Sequence, residues 1–136
     1  MLSNEFSNFL EKQCKLGNVR SIMLPIPCRT LSVAQSRGGR ALRSKEQPRG
    51  TTDFHTESEL LRIDVGNHIL DKCIVLLSTL NQFRIPFIIE NPQSSYIWHD
   101  SVFALQIQHG QDLVIHQCAL GARHQTAKRL VFCNFG

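Results

Sequence analysis

Residues Phe87-Ile-Ile-Glu-Asn-Pro92 constrain this chain more than any other stretch. Three successive large apolar residues leave no alternation between a core face and a wet face. They read as a strand buried on both sides, as in a parallel sheet covered by helices. The run stops at Glu90. Pro92 biases Asn91 towards an extended conformation and ends the strand. A carboxylate at the end of a buried strand is costly unless it has a partner or a task, and ligands of open α/β sheets bind beyond the carboxyl ends of the strands. Glu90 is therefore either a loop-capping carboxylate or a working one.

The flanking pattern supplies the other elements. Asn4 to Leu16 reads as a short amphipathic helix, with Phe6, Phe9, Leu10 and Cys14 at three- and four-residue steps and Gly17-Asn18 as the stop. Val19 to Cys28 reads as a strand closed by Pro25 and Pro27, so Cys28 also falls at a strand's carboxyl end. Thr56 to Phe83 is the longest helix candidate. Thr56 and Glu59 have capping-box spacing, Leu61, Val65, Ile69, Cys73, Leu76, Leu77 and Leu80 form the expected apolar face, and Gly66 interrupts it. Phe103 to Gln108 alternates weakly and reads as an edge segment; Asp112–Cys118 and Arg129–Phe135 read as two more strands.

Between Arg29 and His55 there is no periodicity. This loop, 29–55, carries Arg29, Arg37, Arg40, Arg43, Lys45 and Arg49, with Glu46 as the one acid before Asp53. Long loops in compact domains are usually functional, and the charge suits a lid over phosphates or, equally, a solvated surface loop. The whole chain carries +4 over 136 residues, which permits a polyanionic partner without requiring one. The length allows one domain with one core. The five cysteines are scattered, without a C-x-x-C pair, which favours a reducing intracellular setting, nucleus or cytoplasm. No run is long enough to span a membrane. His116, Cys118 and His124 do not complete a zinc pattern, so no metal is expected.

A right-handed crossover through the long helix would set Cys28 and Glu90 on one rim. A thiolate and a carboxyl group there suit nucleophilic addition with acid assistance. One such reaction is attack on C6 of cytosine with the carboxyl group engaged at N3, on a base taken out of the stack. Pro27-Cys28-Arg-Thr-Leu-Ser32 resembles the Pro-Cys-Gln-x-Phe-Ser motif of the cytosine-C5 DNA methyltransferases. Glu90-Asn91-Pro92 resembles their Glu-Asn-Val, and Leu120 to Phe132 is similar to their Tyr-Gly-x-Pro-Gln-x-Arg-x-Arg segment and the strand after it. The three motifs stand in family order and cover most of the chain from Val19 onward.

The resemblance implies a partial Rossmann-like class I methyltransferase sheet, α/β in three layers, C-terminal half only, as a single domain over residues 1–136. It implies Cys28 as nucleophile, Glu90 at cytosine N3, and Arg129 as the arginine that holds the base and the catalytic carboxylate. Ser32, Arg29, Arg37, Arg40, Arg43, Asn91 and Gln125 would contact DNA, and S-adenosylmethionine would donate the methyl group. Pro92 replaces the family's valine, Ala127 its first arginine and Arg29 its glutamine, which marks a divergent branch of the mobile-element kind. The glycine-rich cofactor loop has no counterpart before Cys28, and no target-recognition region follows. The expectation is a catalytic half, inactive alone, with a second chain or a missing N-terminal half supplying the cofactor site. Two other outcomes stay open: a non-catalytic nucleic-acid-binding remnant, and an unrelated cysteine hydrolase pairing Cys28 with a histidine.

Overall fold

A computed structural model of the chain describes residues 4–27, 31, 41–53, 55–121 and 127–136. It is a mixed α/β fold. Helix α1 (Asn4–Lys15) leads to strand β1 (Ile22–Pro25), helix α2 (Glu57–Gln82), strand β2 (Phe87–Pro92), a 3-10 turn (Tyr96–His99) and helix α3 (Ser101–Ile107). Strand β3 (Gln111–His116), a second 3-10 turn (Gln117–Leu120) and strand β4 (Ala127–Cys133) complete it. The four strands form one mixed sheet in the order β1-β2-β4-β3. β1 and β2 are parallel neighbours, and β4 is inserted antiparallel between β2 and β3.

Local chemistry explains where the elements start and stop. α1 ends because Gly17 adopts the left-handed conformation (φ 71°), letting the Asn18 N–H reach back to the Gln13 carbonyl at 3.0 Å. The capping box of α2 is present. The Thr56 Oγ1 accepts from the Glu59 N–H at 3.2 Å, and the Thr56 N–H donates to Glu59 Oε2 at 2.8 Å. Asp100 caps α3 by accepting from the Phe103 N–H at 2.9 Å. That cap overturns the expected edge segment over Phe103–Gln108. Phe103 and Ile107 are four residues apart and both buried, which is helical spacing.

The buried stripe of α2 also differs from the expected one. It runs through Ile63, Gly66, Leu70, Leu77 and Leu80, with Leu76 beside it, whereas Leu61 and Val65 face solvent. The 26-residue helix has apolar residues on more than one side, so spacing alone did not select the side facing the sheet.

Strand register shows which sheet face carries the core. Side chains alternate along a strand, and paired residues share a face. Ile22 and Leu24 of β1, Phe87, Ile89 and Asn91 of β2, and Val131 and Cys133 of β4 therefore form one face. With Leu10 and Cys14 of α1, Leu70, Leu76, Leu77 and Leu80 of α2, Ile97 and Phe103, the apolar residues of this face build the core of the described residues. The opposite face holds Met23, Ile88, Glu90, Pro92, Lys128, Leu130 and Leu113. Met23 is 60% exposed and Leu113 47% exposed, and the others are partly exposed. The described residues thus make two layers, helices on one face of a sheet, and not three. Phe87 and Ile89 are sealed, but Ile88 between them is only partly covered, so the expectation of a strand buried on both faces holds for one face. No described helix is long and apolar enough to cross a membrane.

Candidate functional site

Because β1 and β2 run parallel in register, their carboxyl ends share one rim, with Pro25 opposite Glu90. Past Pro25 the Ile26 N–H still donates to the Glu90 carbonyl at 3.4 Å. Asn91, 1% exposed, donates its side-chain Nδ2 to the Ile26 carbonyl at 2.8 Å. Its Oδ1 is buried with no donor among the described residues. A buried unmatched acceptor costs about 1–3 kcal/mol.

The chain is tied to the same segment again at Leu31, itself 1% exposed. Its carbonyl accepts from the Tyr96 N–H at 2.7 Å and from the Ser95 Oγ at 3.0 Å. Ser95 is fully buried and also caps the Tyr96–His99 turn. Ile26 and Leu31, which lie on either side of Cys28 in sequence, are therefore both hydrogen-bonded to the stretch that begins at Glu90. Cys28 itself, with Arg29, Ser32, Arg37, Arg40 and Gln125, lies outside the described residues.

Glu90 points to the face away from the helices. Its Oε1 pairs with Lys128 Nζ at 2.7 Å across the β2–β4 ladder, both side chains being partly exposed. Lys128 is a partner the motif comparison did not pick out. The signal was present in the alternation: Lys128 and Leu130 share Glu90's face, and Arg129 cannot.

Arg129 sits opposite Asn91 on the helix-covered face. It forms a bidentate pair with Asp112, Nε to Oδ1 at 2.7 Å and Nη2 to Oδ2 at 3.0 Å. Its guanidinium lies over the Trp98 ring, 4.4 Å from the centroid, and Trp98 is fixed by donating Nε1–H to the Pro92 carbonyl at 2.8 Å. The expected contact between Arg129 and the Glu90 carboxylate is not made; the two side chains leave the sheet in opposite directions, and Asp112 is the carboxylate that Arg129 holds.

In the described part of the basic loop, Arg43 and Arg49 are committed internally. Arg43 is 1% exposed and donates to the Pro48 carbonyl at 2.7 Å, to Asn67 Oδ1 at 2.7 Å and to the Ile63 carbonyl at 3.0 Å. Burial, reinforced by the nearby Arg49 charge, lowers its pKa to about 10. Arg49 reaches Asp100 at 2.6 Å and also pairs with Asp71. Burial alone would raise the Asp100 carboxyl, but the Arg49 hydrogen bond, the Phe103 N–H and the Arg49 charge outweigh it and hold it below the usual range. Residues 41–53 are thus strapped onto α2 and the start of α3. This corrects the expectation that Arg43 offers its charge to DNA, because its guanidinium satisfies protein acceptors.

Among the described residues no three His, Cys, Asp or Glu side chains gather as metal ligands would. No family model, curated protein or solved structure matches this chain.

Proposed function

We propose that the rim shared by β1 and β2 is the base-engaging site of a protein resembling the cytosine-C5 DNA methyltransferases, with Cys28 as nucleophile and Glu90 at cytosine N3. One observation supports this: Ile26 and Leu31, which flank Cys28 in sequence, are both hydrogen-bonded to the Glu90-to-Tyr96 stretch, so segments more than sixty residues apart in sequence meet beside the strand-end rim. An antiparallel strand inserted beside two parallel ones is also what the C-terminal half of a class I methyltransferase sheet requires. On this reading the Cys28 thiolate forms a bond to C6 of an extruded cytosine as the C5–C6 π bond opens towards C5, while the Glu90 carboxyl group engages N3 and draws electron density from the ring. Glu90 would exchange its bond to Lys128 for the base.

The described residues do not suit S-adenosylmethionine. The cleft beside β1 is walled by apolar groups with Lys72 as its one charged residue, and offers no carboxylate to the donor's ammonium or ribose hydroxyls. No methyl-transfer step is therefore assigned to this chain alone; a second chain or a further segment would hold the donor.

Thiol addition can be tested without a methyl donor. In duplex DNA carrying 5-azacytosine, the nitrogen at ring position 5 accepts a proton and retains the adduct. A covalent protein–DNA species is expected, lost in Cys28→Ala and reduced at least tenfold in Glu90→Gln. No adduct from folded wild-type protein removes the proposal. If DNA is bound without an adduct, and Cys28→Ala binds it equally well with a steep salt dependence, a non-catalytic nucleic-acid-binding role takes its place.

A further inference from the structure

We infer that Lys128 is a charge-exchange switch on Glu90. In the free protein its ammonium group holds the carboxylate; a phosphodiester of bound DNA takes the ammonium over and leaves the carboxylate to the base. The switch rests on the reading of this rim as a base-engaging site. The two residues are diagonal neighbours, not direct ones. Glu90 stands opposite Leu130, whereas Lys128 stands opposite Pro92, the last residue of β2, and opposite Ile115 of β3. Lys128 therefore leans back along the sheet to bring Nζ within 2.7 Å of Glu90 Oε1. Extended straight from its own position, the same stem carries the ammonium group to the level where β2 ends.

The contact is of a kind that exchanges. The ammonium group approaches Oε1 outside hydrogen-bond geometry, and that oxygen, itself sealed from solvent, has no hydrogen-bond donor among the described residues. Charge attraction alone holds the pair, and both side chains are partly exposed, the setting in which ion pairs are weak. A sealed carboxylate oxygen without a donor has accepting capacity left over, which a base edge can fill and the lysine does not. Arg49 and Arg129 lack this freedom. Arg49 is held between Asp100 and Asp71, and Arg129 is bidentate on Asp112 and lies over the Trp98 ring. Lys128 has one partner among the described residues, and its ammonium group is a point charge on a flexible stem. Its backbone stays in the ladder between β2 and β3, so only the side chain has to move. A DNA phosphate that takes the ammonium group releases condensed counterions, a gain the carboxylate cannot match. Losing the lysine leaves an enclosed carboxylate charge, which is costly, so the exchange completes only when a donor of the base reaches Oε1. Phosphate contact and base capture are thereby coupled.

The test is the binding of a short, fluorophore-labelled duplex containing cytosine, followed by anisotropy over a range of salt. The whole chain is compared with Lys128→Met, Glu90→Gln and the double variant. Lys128→Met keeps the apolar stem and should lower the slope of log affinity against log salt by about 0.9; a lysine with only a structural role leaves that slope where it was. Glu90→Gln frees the lysine in the unbound protein and should tighten binding roughly threefold, the strength of a partly exposed ion pair. That gain should vanish in the double variant. Circular dichroism checks that each variant is folded, and Lys128→Gln serves if the methionine variant misfolds. An unchanged slope, or a Glu90→Gln gain that persists without the lysine, overturns the switch and leaves the base-engaging reading standing. No DNA binding by the folded wild-type protein removes both.

Discussion

Replacing Arg43 separates a structural arginine from a phosphate-binding one. Its guanidinium is almost fully enclosed, and its hydrogen bonds include those to Pro48, Asn67 and Ile63. Bonds from a charged donor contribute about 1.5–3 kcal/mol each, so these three give a gross figure of roughly 5–9 kcal/mol for Arg43→Ala. Two effects reduce it. Truncation relieves the burial cost that lowers the Arg43 pKa to about 10. The 41–53 segment also has partly exposed residues, so water can re-solvate the Pro48 carbonyl. A net loss of about 3 kcal/mol is expected. Arg43→Lys keeps the charge but cannot span three acceptors with one ammonium group, and about 2 kcal/mol should be lost. Urea unfolding monitored at Trp98 measures both. A DNA-binding assay on whatever fraction stays folded supplies the contrast. A true phosphate contact lowers the salt slope by about 0.9 when removed, whereas a structural arginine leaves it unchanged. If Arg43→Ala loses less than about 1 kcal/mol while the salt slope drops, the internal assignment of Arg43 is refuted.

Three further outcomes follow from particular contacts. A methyl group on Gly110 would lie 2.5 Å from Val131 Cγ1 and 2.8 Å from Cys133 Sγ, so Gly110→Ala should cost about 1–3 kcal/mol in the same unfolding assay. Asp100 has its folded pKa depressed, so its contribution is present above the unfolded value of about 3.9 and disappears as pH falls through the folded one; Asp100→Asn should flatten the acid limb of a stability–pH curve and leave the slope at neutral pH alone. Burial, then the Asp112 charge, pushes the Cys133 thiol up to about 11, and Cys118 is exposed. A thiol reagent at pH 8 should therefore label Cys118 rapidly and Cys133 only on unfolding.

Local signals were enough for much of the scaffold. Thr56 and Glu59 announced the start of α2, Gly17 the end of α1, and the stop at Glu90-Asn91-Pro92 the end of β2, because caps and strand ends depend on residues a few positions apart. The same signals put Glu90 near a strand end, and chain connectivity through a helix made β1 and β2 candidates for parallel neighbours. Two features of the rim had no local signature. The bonds from Asn91 to Ile26 and from Ser95 to Leu31 join residues 65 and 64 positions apart, respectively. The partner of Glu90 depended on the pairing register of β2 with β4, where a shift of one residue exchanges Lys128 for Arg129.

Sequence periodicity established that this chain builds an α/β arrangement of helices and strands, since three- and four-residue steps and apolar runs are intrinsic to the order of residues. It could not say on which side of the sheet the helices lie. Phe87, Ile88 and Ile89 are equally apolar, yet Ile88 faces the uncovered side. Arg43 is as basic as the arginines around it, yet it is enclosed because α2 presents Asn67 and the Ile63 carbonyl at the distance its guanidinium spans. Burial is a property of the assembled layers and not of the residue, so the sheet face that no described helix covers and the internal role of Arg43 emerge only once α1, α2 and α3 have packed on the same side.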